Sequence, residues 1–342
     1  MRLRTAGRFT YSPAAFCELF AVLLLVTAAV AQRLAQQIPA LPKADAIRIN
    51  EFYRLAARIQ DQVWPRWSAT PAPLLLLTAG MEFLTHHPAP PSDFKKVGDD
   101  WYARARHFPP DLQATFPAFG PPAVIVIGEP QNTSSKTSTP WLFTVMHEHF
   151  HQLQYGQPGY YQAVKGLGLD QGDQTGMWVL NYPFPYKKPE VVRAFTALRD
   201  LLLRAIAEND QGKFQKLAAQ YVLARKRFFA ELSPDDAKYL NFQLWQEGIA
   251  RYTQIRAAES AVEYQPTAEY NGLADFEPFA AYASTAREET LAELKRVDIT
   301  KSQREVVYSF GATEGFLLDR LHPTWTERYF AQPFRMDALF ED

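Results

Sequence analysis

The sequence predicts an α+β protein, with strands gathered early in the chain and helices dominating the remainder. Three observations carry this. Residues 73–78 (PLLLLT) and 123–128 (AVIVIG) are short, unbroken apolar runs beside turn-forming residues, as buried strands are. From residue 189 onward the apolar residues recur at helical spacing, over 189–207, 213–232, 234–258 and 302–320. Between the two regimes, a helical pattern over 140–155 follows the second strand closely.

In chain order, the start reads as a secretory signal. Arg2, Arg4 and Arg8 form a positive region, residues 19–30 an apolar run, and Ala29-Val30-Ala31 a small-x-small cleavage site before Gln32. The run is shorter than the ~20 residues a membrane span needs. The expectation is a signal peptide over residues 1–31, a periplasmic or secreted protein, and no stable membrane span once the signal is removed. The single cysteine, Cys17, precedes the apolar run, so residues 32–342 carry no thiol chemistry.

Residues 44–63 are helix-like, with Phe52, Leu55, Ala56, Ile59 and Val63 on one side and Pro65 just beyond. Between the two apolar strands lies a Pro- and aromatic-rich stretch with no clear period. Residues 131–139 form a polar loop that predicts Thr139 as a helix N-cap and Pro140 as the first helical residue. Residues 156–188 are rich in Gly, Tyr and Pro and read either as a strand pair or as a loop over a cleft, with 177–186 lining or covering that cleft or forming a core strand. Asn209-Asp210-Gln211-Gly212 separates two helices, and Ser233-Pro234-Asp235-Asp236 opens a third with a cap, a first-turn proline and two acids. The organisation is a strand-bearing lobe over 32–155 and a mainly helical one over 156–342. Lysine plus arginine number 36 against 37 acids, so no basic footprint for nucleic acid exists.

The chemistry concentrates in His147-Glu148-His149-Phe150-His151. On a helix, His147 and His151 share one face at a spacing that lets both bind one zinc ion, with Glu148 at its edge. Leu142, Val145, Met146, His149 and Leu153 form the apolar stripe of the same helix. His149 projects about 200° away from His147 and reads as a hydrogen-bonded core histidine. A catalytic zinc site takes three protein ligands and a water. Only His322 follows His151 in the chain, which favours a carboxylate as the third ligand. Glu247, between the apolar sides formed by Leu240, Leu244, Trp245 and Ile249, is the leading candidate, because an unpaired carboxylate there is costly to bury. Gly248 beside it allows a close approach of another backbone. Two other readings stand: Glu247 as an acid salt-bridged to Arg251, and Glu314, also followed by glycine, as the ligand.

These residues resemble a gluzincin metallopeptidase of the thermolysin and aminopeptidase superfamily. The likeness rests on the His-Glu-x-x-His helix and on Glu247-Gly248-Ile249-Ala250-Arg251-Tyr252 downstream. It implies a zincin-like fold, a small mixed sheet on the motif helix with a mostly helical C-terminal lobe. It also implies zinc held by His147, His151 and Glu247, Glu148 as general base, and a peptide or protein substrate. In such a fold the strand before the motif helix, here 123–128, forms the sheet edge along which substrate pairs. Tyr308, in Tyr308-Ser309-Phe310-Gly311, is implied as an oxyanion donor. The chain departs from the thermolysin type at Arg251, where that type keeps an acid, and in the 96 residues between His151 and Glu247. An inactive zincin-like scaffold and a zinc hydrolase of a non-peptide amide or ester use the same residues.

Overall fold

The computed structural model describes residues 39–173 and 175–341. The expected signal segment, with Cys17 and the cleavage site, lies outside the described residues. The architecture is α+β. Helix α1 (Lys43–Val63) leads into a six-stranded mixed sheet of β1 (Leu74–Leu77), β2 (Met81–Thr85), β3 (Lys95–Lys96), β4 (Trp101–Ala105), β5 (Gln113–Phe116) and β6 (Val124–Gly128). The remaining long helices are α2 (Ser138–Tyr155), α3 (Pro189–Ala207), α4 (Gln211–Glu231), α5 (Pro234–Gln243), α6 (Ile249–Ser260), α7 (Phe279–Arg296) and α8 (Val306–Leu321). Leu41–Asp342 is one compact unit, so the strand-bearing and helical parts share it. Among the described residues, no helix is long and apolar enough to cross a membrane.

The sheet order is β3-β4-β2-β1-β6-β5. The two apolar strands, β1 and β6, are adjacent, parallel and fully buried, which is why their runs are unbroken rather than alternating. Leu75, Leu77, Val124 and Val126 face one way with Leu84 and Phe94 and form a core beneath the sheet. Alternation turns Leu74, Leu76, Ile125 and Ile127 the other way, and α2 packs across β5 and β6. β6 is therefore not the sheet edge. It pairs with β1 on one side and β5 on the other, so β5, from the stretch without a period, is the edge strand beside α2.

Two of the long helices start on a side-chain cap. Ser233 caps α5 by accepting from Asp236 N, and Asp210 caps α4 by accepting from Lys213 N. Thr139 is not an N-cap. α2 begins two residues earlier than its proline suggests, so Thr139 already lies inside the helix. Its hydroxyl clasps the chain before α7 instead, donating to Glu277 O at 2.6 Å and accepting from Glu277 N at 3.2 Å. Arg48 on α1 fastens the same corner, bonding Asp45, Ser138 and Asp275.

Residues 177–186 form neither a strand pair nor a cover over the motif. A short helix, Trp178–Asn181, runs into extended chain, and Val179 O accepts from Tyr239 and Gln243 on α5. Leu180–Pro189 instead border a separate cavity of about 740 Å³, which reaches Arg304.

Candidate metal centre

α2 is a central helix, buried on nearly every side, so its polar residues must find partners inside the protein. His149 does so away from the motif face. Its Nδ1 lies 2.8 Å from Gln152 Oε1, its Nε2 3.0 Å from Gln60 Oε1, and Trp67 stacks on its ring. Burial pushes its imidazole down to about 4, so it stays neutral. This is the core histidine that the pattern predicts.

His147 and His151 turn toward the helix that carries Glu247. That helix is not a plain α-helix. Between α5 and α6 the chain makes a π turn, Leu244–Gly248, and Glu247 sits within it. A π turn disturbs the carbonyl ladder, and groups from outside the helix add donors to its carbonyls. Gln154 Nε2 donates to Trp245 O at 3.2 Å and Gln246 O at 3.1 Å, and Tyr329 OH donates to Trp245 O. Gly248 supplies the close approach expected of it, but to α8 rather than to α2. A Cβ on Gly248 would lie 2.6 Å from the Cα of Gly311.

The result is a tight cluster of three donor groups. His151 Nε2 is 3.2 Å from His147 Nε2, and Glu247 Oε2 lies 3.3 Å from the first and 3.7 Å from the second. All three ligand atoms fall within 4.8 Å of one another, so the group can hold a metal ion. Gln154 orients the site, since its Oε1 sits 2.7 Å from His151 Nδ1. That contact directs the His151 Nε2 lone pair toward the cluster. His147 Nδ1 is buried without a partner.

The electrostatics are those of a compact acid–base group. Burial works against the His151 imidazolium, but the adjacent Glu247 carboxylate outweighs it and lifts that group to about 9. Burial likewise raises the Glu247 carboxyl, and the two imidazoles overcome this and hold it well below the usual carboxylate range. The nearest guanidinium to Glu247 belongs to Arg304, at 3.6 Å, and not to Arg251. Glu314 is elsewhere: fully buried, it pairs with Arg225 at 2.6 Å and accepts from Tyr221 OH.

Glu148 and Tyr308 border the cluster. Both line a cavity of about 320 Å³ with His147, Gln113, Thr144 and Arg251. Thr115 Oγ1, on the edge strand β5, donates to Glu148 Oε2 at 2.8 Å and to Glu148 O at 2.9 Å. Tyr308 presents its ring 6.2 Å from that of His147 and accepts from Arg304 at 3.2 Å. Burial, and then the Glu247 charge, push its phenol well above its ordinary value, so the group remains a hydrogen-bond donor.

Sequence reasoning missed Thr115, Gln154 and Arg304. Gln154 lies three residues after His151 and Arg304 four before Tyr308, so helical spacing alone carried a trace of each. Thr115 left no such trace, because only sheet pairing brings it to α2. An α+β fold around a candidate metal centre is the class that these observations define. No family model, curated protein or solved structure matches the chain.

Proposed function

We propose that the protein is an exported zinc-dependent peptidase with a zincin-like fold, holding zinc through His147, His151 and Glu247. The observation that carries this is the convergence of two imidazoles and a remote carboxylate at separations of 3.2, 3.3 and 3.7 Å. Tetrahedral zinc with bonds of ~2.0–2.1 Å requires its ligand atoms to stand about 3.3 Å apart. Zinc bound there supplies an acidic water and polarises a carbonyl oxygen.

The residues around it divide the remaining work. Glu148, 6% exposed and facing the cavity, takes the proton from the attacking water and passes it to the leaving amine. Thr115 fixes the rotamer of that carboxylate through its 2.8 Å hydrogen bond. Tyr308, kept protonated and steadied by Arg304, donates to the oxygen on which negative charge develops. The edge strand β5, which brings Gln113 into the cavity, offers the backbone along which an extended peptide pairs.

The test is metal analysis of the purified protein together with digestion of a broad peptide library. Stoichiometric zinc and cleavage are expected, with Glu148→Gln retaining zinc and losing roughly 10²–10⁴-fold in turnover. Stoichiometric zinc without cleavage of any peptide would favour a binding or scaffold role. Wild-type cleavage by the Gln variant would sink the mechanism.

A further inference from the structure

We propose that Arg251 is an anchor for a substrate carboxylate, so that the preferred substrates carry a negative charge within one or two residues of the bond being cut. This rests on the zinc-peptidase reading and adds its substrate class.

Arg251 lies four residues beyond Glu247, roughly 6 Å along the axis at ~1.5 Å per residue. Its side chain lines the same cavity as His147, Glu148 and Tyr308. Every other guanidinium near the centre is committed. Arg304 approaches Glu247 at 3.6 Å and Glu305 at 3.3 Å, and it bonds Tyr308 and Gln243. Among the described residues, Arg251 has no ion pair. Its one hydrogen bond runs from NH1 to Gln254 Oε1 at 3.1 Å, and its Nε is buried without a partner. Gln254 is itself buried and donates to Tyr282 OH at 3.3 Å, so the contact steers the guanidinium rather than neutralising it.

A partly buried, oriented and unpaired guanidinium is an unsatisfied charge, and its fork of donors matches a carboxylate. Three acids share the cavity wall, Glu148, Glu293 and Glu305, and none forms an ion pair with Arg251. The cavity thus holds a guanidinium that no protein carboxylate pairs with, one helical turn beyond Glu247. An extended peptide advances ~3.3–3.6 Å per residue. A chain with its carbonyl at the metal centre therefore brings a neighbouring residue's carboxylate to Arg251. That carboxylate comes either from a free C-terminus or from an Asp or Glu side chain.

The experiment uses the zinc-loaded full chain and three ligands that share one metal-binding group, a succinyl hydroxamate. One is coupled to phenylalanine with its free carboxylate, one to phenylalaninamide, and one to aspartic acid α-amide. Affinities are measured by calorimetry. The free acid is expected to bind at least about tenfold more tightly than the phenylalaninamide, as a charge-assisted hydrogen bond supplies. In Arg251→Gln that ratio should collapse to near one, and in Arg251→Lys part of it should return. A tight aspartyl amide identifies the side-chain source, and a weak one the C-terminus. Equal binding of acid and phenylalaninamide by the wild type overturns the proposal, as does a ratio that survives in Arg251→Gln. If no form binds, the zinc reading itself fails, and this inference falls with it.

Discussion

Gly248 and Gly311 cross backbone to backbone, so closely that a Cβ on Gly248 would stand 2.6 Å from the Cα of Gly311. The contact joins the turn that carries Glu247 to the helix that carries Tyr308. Gly248→Ala should therefore act on the site as well as on the fold. Overpacking costs about 1–3 kcal/mol, and the strain falls beside a proposed metal ligand. A lower melting temperature and weaker zinc retention against a chelator are expected together. A variant with unchanged zinc affinity would show that the crossing does not set the position of Glu247.

Gln154 is the second point of control. It faces His151 Nδ1 with its oxygen and donates to Trp245 O, Gln246 O and Tyr329 OH with its nitrogen. Gln154→Leu removes the partner that orients His151 and takes one donor away from each of two π-turn carbonyls. Loss of such an outer partner lowers metal affinity by roughly 10–100-fold. Competition with a chromogenic chelator measures it, and wild-type affinity in the variant would refute the assignment.

Tyr308→Phe separates an oxyanion donor from a packed ring. The ring's contact with His147 survives the change, and only the hydroxyl is lost. If the phenol serves the developing charge, kcat should fall by about 10²–10³ with KM and zinc content little altered. An unaltered kcat would assign the hydroxyl to holding Arg304 alone.

His149 gives a pH dependence of stability that is independent of the metal centre's chemistry. Burial holds its imidazole near 4 in the folded protein, against ~6.5 in the unfolded chain. Above pH 6.5 neither state carries the proton. As the pH falls, the unfolded chain takes up a proton that the folded one refuses, and stability is lost down to about pH 4. Between pH 7 and pH 5 this amounts to about 2 kcal/mol. Urea denaturation of wild type and His149→Gln at the two pH values reads it as a difference in slope. Equal losses in both proteins would mean that other groups govern the acid limb.

The legibility of each element in the sequence depends on how that element is stabilised. β1 and β6 announce themselves because both their faces are buried, so every position is apolar. The motif residues are legible because their spacing is itself chemical, and Glu247 because a carboxylate among apolar helix faces needs a partner. β3 and β4 are not, since their positions are largely exposed or half-buried and long-range pairing alone makes them strands. Helix α7 leaves little trace because its buried face is Phe279, Ala283, Ala286, Thr290 and Leu294, where small residues give little hydrophobic contrast. The span 234–258 reads as one helix, and the chain does run helically through it, but the π turn has no periodicity of its own to betray it. The resemblance places the sheet edge one strand too far in, because β5, drawn from that irregular stretch, covers β6.

The π turn has a further consequence, which is one of counting. A helical residue advances the chain by about 100° around the axis. Leu244–Gly248 spends one residue more than an α turn would, which fixes the rotational phase between α5 and α6. Removing that surplus residue would swing one half of the helix by about 100° against the other. Tyr239 and Gln243 of α5 could then still meet Val179, or Thr253 of α6 could still meet Trp64, but a single straight helix could not serve both. The deletion of one codon within the turn would therefore set the packing of α5 against that of α6.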